Sequence, residues 1–306
     1  IRRPPRSTLF PYTTLFRSSY ASPRSYRPIS LLPAMGKLLE RLVNRRLMWC
    51  LEGQCLLSPY QFGFRAGRDI VAACRRLAED VATAFREREQ VQAVMLDIQA
   101  AYNTVWQAGL LEKLGRLGVD GYLVSWVRAF LRGRCSVLEL GEARVEVRPQ
   151  CGVPQGSPLS PTLFLVFIDD LLHILDRIRG TRLQAFANDI VIWAVGVFRD
   201  GVIHRGLRVA LAAVGRWAAF WRIAFSVSKC EAILFRDLRI KIARPFEARL
   251  SGELISHVRA VRYLGLWFDE SLTWGCQVDE ATAVARRQLW ALRRCISRDW
   301  GIDPYI

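Results

Sequence analysis

The chain has 306 residues, 51% of them hydrophobic, enough for a sizeable core and more than one lobe. Forty-four basic residues against 28 acidic ones give a net charge of +16, which favours a polyanionic partner; the forty arginines beside four lysines also show a compositional skew that binding does not require. Eight scattered cysteines without a CxxC pair, and three histidines far apart, argue against a zinc site or a disulfide framework and for a reducing compartment, while the lack of any run of 18 apolar residues excludes a simple membrane-spanning helix.

In chain order, the first 18 residues, IRRPPRSTLFPYTTLFRS, stand apart. They hold three prolines, four arginines, no acid and no hydrophobic periodicity, and they lack the apolar stretch of a signal peptide. The string resembles the conceptual translation of a short-read sequencing adapter, so Ile1 to Ser18 is expected to be an artefactual segment outside the fold; the remainder still carries +12. Met35 to Glu52 places apolar residues at 35, 38, 39, 42, 43 and 47 ahead of Gly53, the pattern of an amphipathic helix, and Ile70 to Arg88 repeats it. Val91 to Ile98 (VQAVMLDI) reads as a strand ending on an acid. Helices are predicted over Trp106–Leu117 and Gly121–Leu131, each followed by a stopping glycine, and a hairpin over Ser136–Val147 around Gly141-Glu142. Pro158–Leu175 is a strongly apolar helix with proline in its first turns. A hairpin then covers AFANDIVIW (Ala185–Trp193), followed by a long buried helix from about Ile203 to Ala224. Strand-like pieces follow at Ala232–Phe235, Arg239–Ile242 and Arg262–Phe268, and the last helix lies near Asp279–Ser297. Strands separated by helices, with hairpins among them, argue for an α+β fold.

Two acids carry the candidate chemistry. Asp97 closes an apolar strand, and Asp189 sits with Asn188 between two apolar strands, where Asn-Asp suits a turn needing positive φ. If the strands are neighbours, both carboxylates emerge at one sheet edge, and paired carboxylates are what hard Mg²⁺ ions want while leaving positions open for phosphate. Two such ions a few ångströms apart drive phosphoryl transfer. Spacing alone equally allows an ordinary turn and a solvated strand end.

Seven segments, in order, resolve this ambiguity: YRPISLLPAMGKLLERLV, SPYQFGFRAGRD, VMLDIQAAYNTVW, GVPQGSPLSPTLFLVFIDDLL, AFANDIVIW, SVSKCEAILF and VRYLGLWFDESLTW. From about Tyr26 to Trp274 the chain resembles the reverse transcriptase domain of non-long-terminal-repeat (LINE-type, Jockey/I-like) retrotransposons. The resemblance implies a right-hand polymerase: fingers over 19–90, the first metal-binding palm strand over 91–105, fingers/palm helices and a hairpin over 106–150, palm over 151–235, a primer-grip region over 236–272 and a partial thumb over 273–306. It implies an RNA template, a DNA primer and dNTPs as partners, two Mg²⁺ ions as cofactors, no membrane, and an intracellular site of action, nuclear or cytoplasmic.

Residue by residue, the resemblance makes Asp97 and Asp189 metal ligands, with the Ile98 carbonyl completing a shell. Tyr102 would pack beneath the incoming sugar; a plain core tyrosine is the competing reading. Gln155 and Gly156 would lie along template and incoming nucleotide, a loop that equally reads as a turn capping the next helix. Arg65 and Arg68 would offer charge to the triphosphate, Lys229 would give a proton to the leaving pyrophosphate, and Tyr263, Leu264 and Gly265 would grip the primer end. The family has two adjacent aspartates where this chain has Asn188-Asp189, and asparagine keeps an oxygen but loses the charge. Asn103 also replaces a frequent aspartate at a position that holds no metal. The expectation is an RNA-directed DNA polymerase domain impaired by Asn188. The alternatives are a non-catalytic nucleic-acid-binding remnant and a decayed fragment.

Overall fold

The computed structural model describes residues 29–140, 143–197, 202–237 and 245–293. Ile1 to Ser18, the Gly141-Glu142 turn, the Arg239–Ile242 piece and the end of the last predicted helix lie outside the described residues. The architecture is α+β. A five-stranded sheet runs in the order β4 (Arg182–Phe186), β5 (Asp189–Gly196), β1 (Gln90–Asp97), β6 (Glu231–Phe235), β9 (Ser256–Val258), antiparallel throughout except for the parallel β6–β9 pair at one edge.

The central strand β1 is buried on both faces, which is why apolar residues dominate it without alternating, Gln90 and Gln92 being buried polar exceptions. Side chains alternate across a strand. Val94 and Leu96 therefore face one core together with Ile190 and Ile192, against helices that include α6 (Ser160–Asp176) and α7 (Val202–Trp221). Val91, Ala93 and Met95 face a second core with Val191, Trp193, Ile233 and Phe235, closed by α2 (Ile70–Arg86) and by the hairpin of β10 (Ala260–Tyr263) and β11 (Leu266–Asp269). The start of α2 is fixed locally, since the Asp69 carboxylate accepts the Ala72 N–H at 2.6 Å.

The remaining helices are α1 (Ala34–Gly53), the short α3 (Ala101–Thr104), α4 (Gln107–Arg116), α5 (Gly121–Leu131) and α8 (Gly275–Arg293); β2 (Ser136–Leu140) pairs with β3 (Ala143–Val147), and β7 (Arg249–Leu250) with β8 (Glu253–Leu254). Three expectations change. The predicted apolar stripe of α1 is covered at its C-terminal end, where Leu47 is buried with Leu51 and Glu40 and Val43 packs against the core, and exposed at Met35, Leu38, Leu39 and Leu42. The predicted strand Arg262–Phe268 is a hairpin, because Leu264 and Gly265 both take positive φ (50° and 92°) and turn the chain back. The long helix is amphipathic rather than fully buried, exposing Val209 and Phe220, and ends where Arg222 enters the left-handed region. Among the described residues no helix is long and apolar enough to cross a membrane.

Candidate active site

The register of β1 against β5 settles where the two acids lie. Asp97 and Asp189 are direct cross-strand partners at the last rung of the pair, a relation that places Cα atoms about 4.5–5.5 Å apart. They line an open concavity of about 240 Å³ together with Lys229, Glu231, Arg262 and Leu264. Lys229 rides on a 3-10 turn (Val227–Lys229) and its ammonium nitrogen lies 3.7 Å from Asp97 Oδ2. That turn is moored to the end of β1: the Ser226 N–H donates to the Asp97 carbonyl at 2.9 Å and the Gln99 N–H to the Ala224 carbonyl at 2.8 Å. Neither bond uses the Ile98 carbonyl.

The turn joining β4 to β5 consists of Ala187 and Asn188. The positive φ expected at Asn188-Asp189 falls on Ala187 instead, at 56°, and Asp189 is already in the strand. A non-glycine residue in that region needs outside support, and Gln61 provides it. The Ala187 N–H donates to Gln61 Oε1 at 2.9 Å, and Gln61 Nε2 donates to the Ala187 carbonyl at 3.4 Å. Asn188 turns its amide toward its neighbour, Nδ2 donating to Asp189 Oδ1 at 3.4 Å.

The other predicted residues divide. Tyr263 and Leu264 join the two acids around the concavity, and Gly265 completes the β10–β11 turn beside it. Tyr263 is buried, its hydroxyl accepts from Gln184 Nε2 at 3.2 Å, and burial pushes its pKa up. Tyr102 stacks on Phe164 with ring centroids 5.4 Å apart, and burial raises its phenol to about 12. Gln155 donates from Nε2 to Asn103 Oδ1 at 3.0 Å, and its carbonyl accepts the Ser30 N–H at 2.7 Å. Gly156 has φ of 101°, and a Cβ there would stand 2.9 Å from the Ser30 carbonyl oxygen, so only glycine fits.

Arg65 departs from its expected role. Its guanidinium forks onto Glu52 at 2.7 and 2.6 Å and donates to the Ser58 carbonyl at 2.6 Å, with 5% of the side chain exposed, so it braces the scaffold rather than presenting charge. Arg68 is less enclosed. It donates to the carbonyls of Pro59 and Gln61 and lies over the Phe62 ring, and burial beside Arg65 lowers its pKa.

Several residues that brace the site and its scaffold escaped sequence reasoning: Gln61, Glu52, Lys113, Asp169 and Asp170. Asp169 accepts the Ser58 N–H at 2.7 Å and pairs with His173 at 3.1 Å; burial raises its pKa. Asp170 accepts from Lys113 Nζ at 2.7 Å and from Trp217 Nε1 at 2.9 Å. Lys113 sits 3.7 Å from the centroid of Trp221, also donates to the Phe167 carbonyl, and is lowered by burial to about 8. The only sequence signal for these contacts was a lysine at a position facing the apolar side of its helix, between Leu110 and Leu114.

The donor chemistry at the sheet edge fits a hard divalent cation, since two carboxylates oppose one another beside a backbone carbonyl. It falls short of a full acidic cluster: among the described residues no group of three or more His, Cys, Asp or Glu could hold a metal ion.

Residues 17–268 match the family described as reverse transcriptase (RNA-dependent DNA polymerase). The chain is 31% identical over 286 residues to the probable RNA-directed DNA polymerase from transposon BS of Drosophila melanogaster, covering 90% of this chain and 31% of that protein. It is 32% identical over 257 residues to the RNA-directed DNA polymerase from mobile element jockey of Drosophila melanogaster, covering 82% and 27%. The chain thus spans less than a third of the length of these relatives. Among solved structures, telomerase from Candida albicans in complex with a fragment of telomeric RNA superposes with a TM-score of 0.53 at 11% identity, over 76% of this chain and 38% of that one. Apo telomerase from Candida tropicalis, truncated from the C-terminal domain, gives 0.52 at 10%, over 78% and 44%. At such identities the likeness is one of fold.

Proposed function

Because the chain belongs to the reverse transcriptase (RNA-dependent DNA polymerase) family, we propose that its Asp97–Asp189 edge is the polymerase site of a non-long-terminal-repeat retrotransposon, extending a DNA primer with dNTPs along an RNA template, and that Asn188 impairs it. The observation that carries the reading is the shared rung: two acids 92 positions apart in sequence become direct partners on one concavity.

Asp97, Asp189 and the Ile98 carbonyl would hold divalent Mg²⁺. Bound there, the cations supply activation of the attacking 3′-oxygen and charge stabilisation at the leaving group. Lys229, 3.7 Å from Asp97 Oδ2, would give a proton from Nζ to the departing pyrophosphate. The Leu264-Gly265 turn brings backbone within reach of the primer terminus. Tyr102, packed on Phe164, would support the incoming sugar, and the Gln155-Gly156 loop, tied to Ser30, would lie along template and nucleotide. Arg68 rather than Arg65 is the arginine left to meet a triphosphate. In domain terms we assign 19–90 to fingers, 91–105 and 151–235 to palm, 106–150 to the helices and hairpin between them, 236–272 to the primer grip and 273–306 to the start of a thumb.

Asn188 matters because transition-state charge in such a site is balanced by fixed ligand charge. Its amide donates to Asp189 where a carboxylate would instead have added a second negative group. If that difference forfeits about 3–5 kcal/mol of transition-state stabilisation, the rate falls by about 10²–10⁴-fold. The test is primer extension on an RNA template with Mg²⁺, comparing the chain with its Asn188→Asp variant. A gain of about 10²-fold or more is expected in the variant. Equal, robust extension by both would overturn the impairment, and no extension by either would overturn the polymerase reading for this chain.

A further inference from the structure

We propose that Gln61 is a positioning residue whose side-chain amide splints the Ala187-Asn188 turn and so sets where Asp189 stands opposite Asp97. The proposal deepens the polymerase reading, on which its functional consequence rests. Gln61 is buried, at 1% exposure, and lies 126 residues from the turn it holds. Its carboxamide makes three bonds. Oε1 accepts the N–H groups of Ala187 and Gly63, both at 2.9 Å, and Nε2 donates to the Ala187 carbonyl at 3.4 Å. Both backbone polar groups of the one turn residue with positive φ are thus met by a single side chain.

The neighbouring backbone makes the contact close and directional. Segment 60–62 adds a short bridge to the free edge of β4: the Phe62 N–H donates to the Ala185 carbonyl at 2.7 Å and the Ala185 N–H to the Tyr60 carbonyl at 2.9 Å. Gly63 lets the segment approach, since a Cβ there would stand 2.4 Å from the Ala187 nitrogen. The segment is itself anchored twice, by Ser58 on Asp169 and by Arg65 on Glu52. A two-residue turn with alanine in the left-handed region is disfavoured on its own, so the register at the acids depends on this outside clamp. Reach and rigidity come from the anchored segment, and chemistry from the amide.

Amide hydrogen exchange on the full chain, with Mn²⁺ alone as a probe of the acids, tests this. The Ala187 amide should be protected in the parent. Gln61→Met keeps the bulk and removes the bonds; it should cost about tenfold in protection at Ala187 and Gly63, the worth of one buried hydrogen bond, and about as much in Mn²⁺ affinity. Gln61→Glu keeps the acceptor oxygen but loses the donor to the Ala187 carbonyl, so it should hold both amides better than Gln61→Met while falling short of the parent. A pure packing role predicts the reverse order, with Met tolerated and Glu disruptive, and that result would overturn the proposal. Should the Met variant not fold, the parent and Gln61→Glu decide: an unprotected Ala187 amide in either sinks the splint. If the parent binds no Mn²⁺, the metal reading fails while the exchange data still judge the splint.

Discussion

Two pairs of aspartates invite comparison. Asp169 and Asp170 are adjacent in sequence and embedded in one apolar helix. The structure turns them apart: one receives the Ser58 N–H and His173, the other Lys113 and Trp217. Asp97 and Asp189 are far apart in sequence, and the sheet makes them partners on an open concavity with Lys229 as neighbour. Adjacency on a helix splays two carboxylates by about 100° around the axis, whereas a shared rung of an antiparallel pair sets them side by side. One pair braces the scaffold and the other lines a concavity.

Substitutions can separate the two roles. The largest effect is expected in the Asn188→Asp chain: there Asp189→Asn should lower primer extension by about 10²–10⁴-fold while thermal unfolding moves little. Asp170→Ala should do the opposite. It strands a buried ammonium, a loss of about 3 kcal/mol, read as a drop of several degrees in Tm with activity per folded molecule retained. If Asp170→Ala cut activity per folded molecule as deeply as Asp189→Asn, the contrast between the pairs would break.

The third effect is pH-dependent. Burial lowers Lys113 from 10.5 to about 8. Between these values the native chain has released the proton and the unfolded chain still holds it, so the lysine's contribution makes stability rise with pH across that window, by at most about 3 kcal/mol. Tyr102 and Cys74 act with the opposite sign, since burial raises them to about 12 and about 11 and the native state keeps their protons longer. Urea unfolding of the parent against Lys113→Met between pH 7.5 and about 10 isolates the lysine: the parent's stability relative to the variant should climb. A flat difference would mean that the Asp170 partnership fully offsets burial. The smallest effect concerns Leu264, held at φ of 50°. Leu264→Asn should raise stability by about 0.5–1 kcal/mol by relieving that strain, measured as a modest rise in Tm; a fall would show that the leucine's packing outweighs its backbone cost.

Much of this was legible in the sequence because the relevant signals are local. VQAVMLD ends on its acid where the strand ends, α5 runs from Gly121 to Leu131 as its periodicity predicts, and AFANDIVIW folds as a hairpin. What stayed hidden depends on contacts between distant segments. No local rule assigns positive φ to Ala187 over Asn188; Gln61, supplied from another part of the chain, does. Arg65 was expected to offer charge to a triphosphate, and no local signal showed that Glu52, 13 residues away, would enclose it. The exposed stripe of α1 shows the same limit, since periodicity marks an apolar face without saying what covers it.

The central position of β1 has a consequence for how the chain is made. Its hydrogen-bonding partners are β5 and β6, which begin at residues 189 and 231. At synthesis rates of about 5–20 residues per second, β1 leaves the ribosome roughly 5–20 s before the first of these strands exists. Through that interval VQAVML is an uncharged, proline-free run with both faces destined for burial, the kind of segment that pairs with copies of itself. The architecture that brings two remote acids to one rung therefore leaves its middle strand waiting longest for company, and folding yield should respond to slowed translation or to holding chaperones more than to changes at the acids themselves.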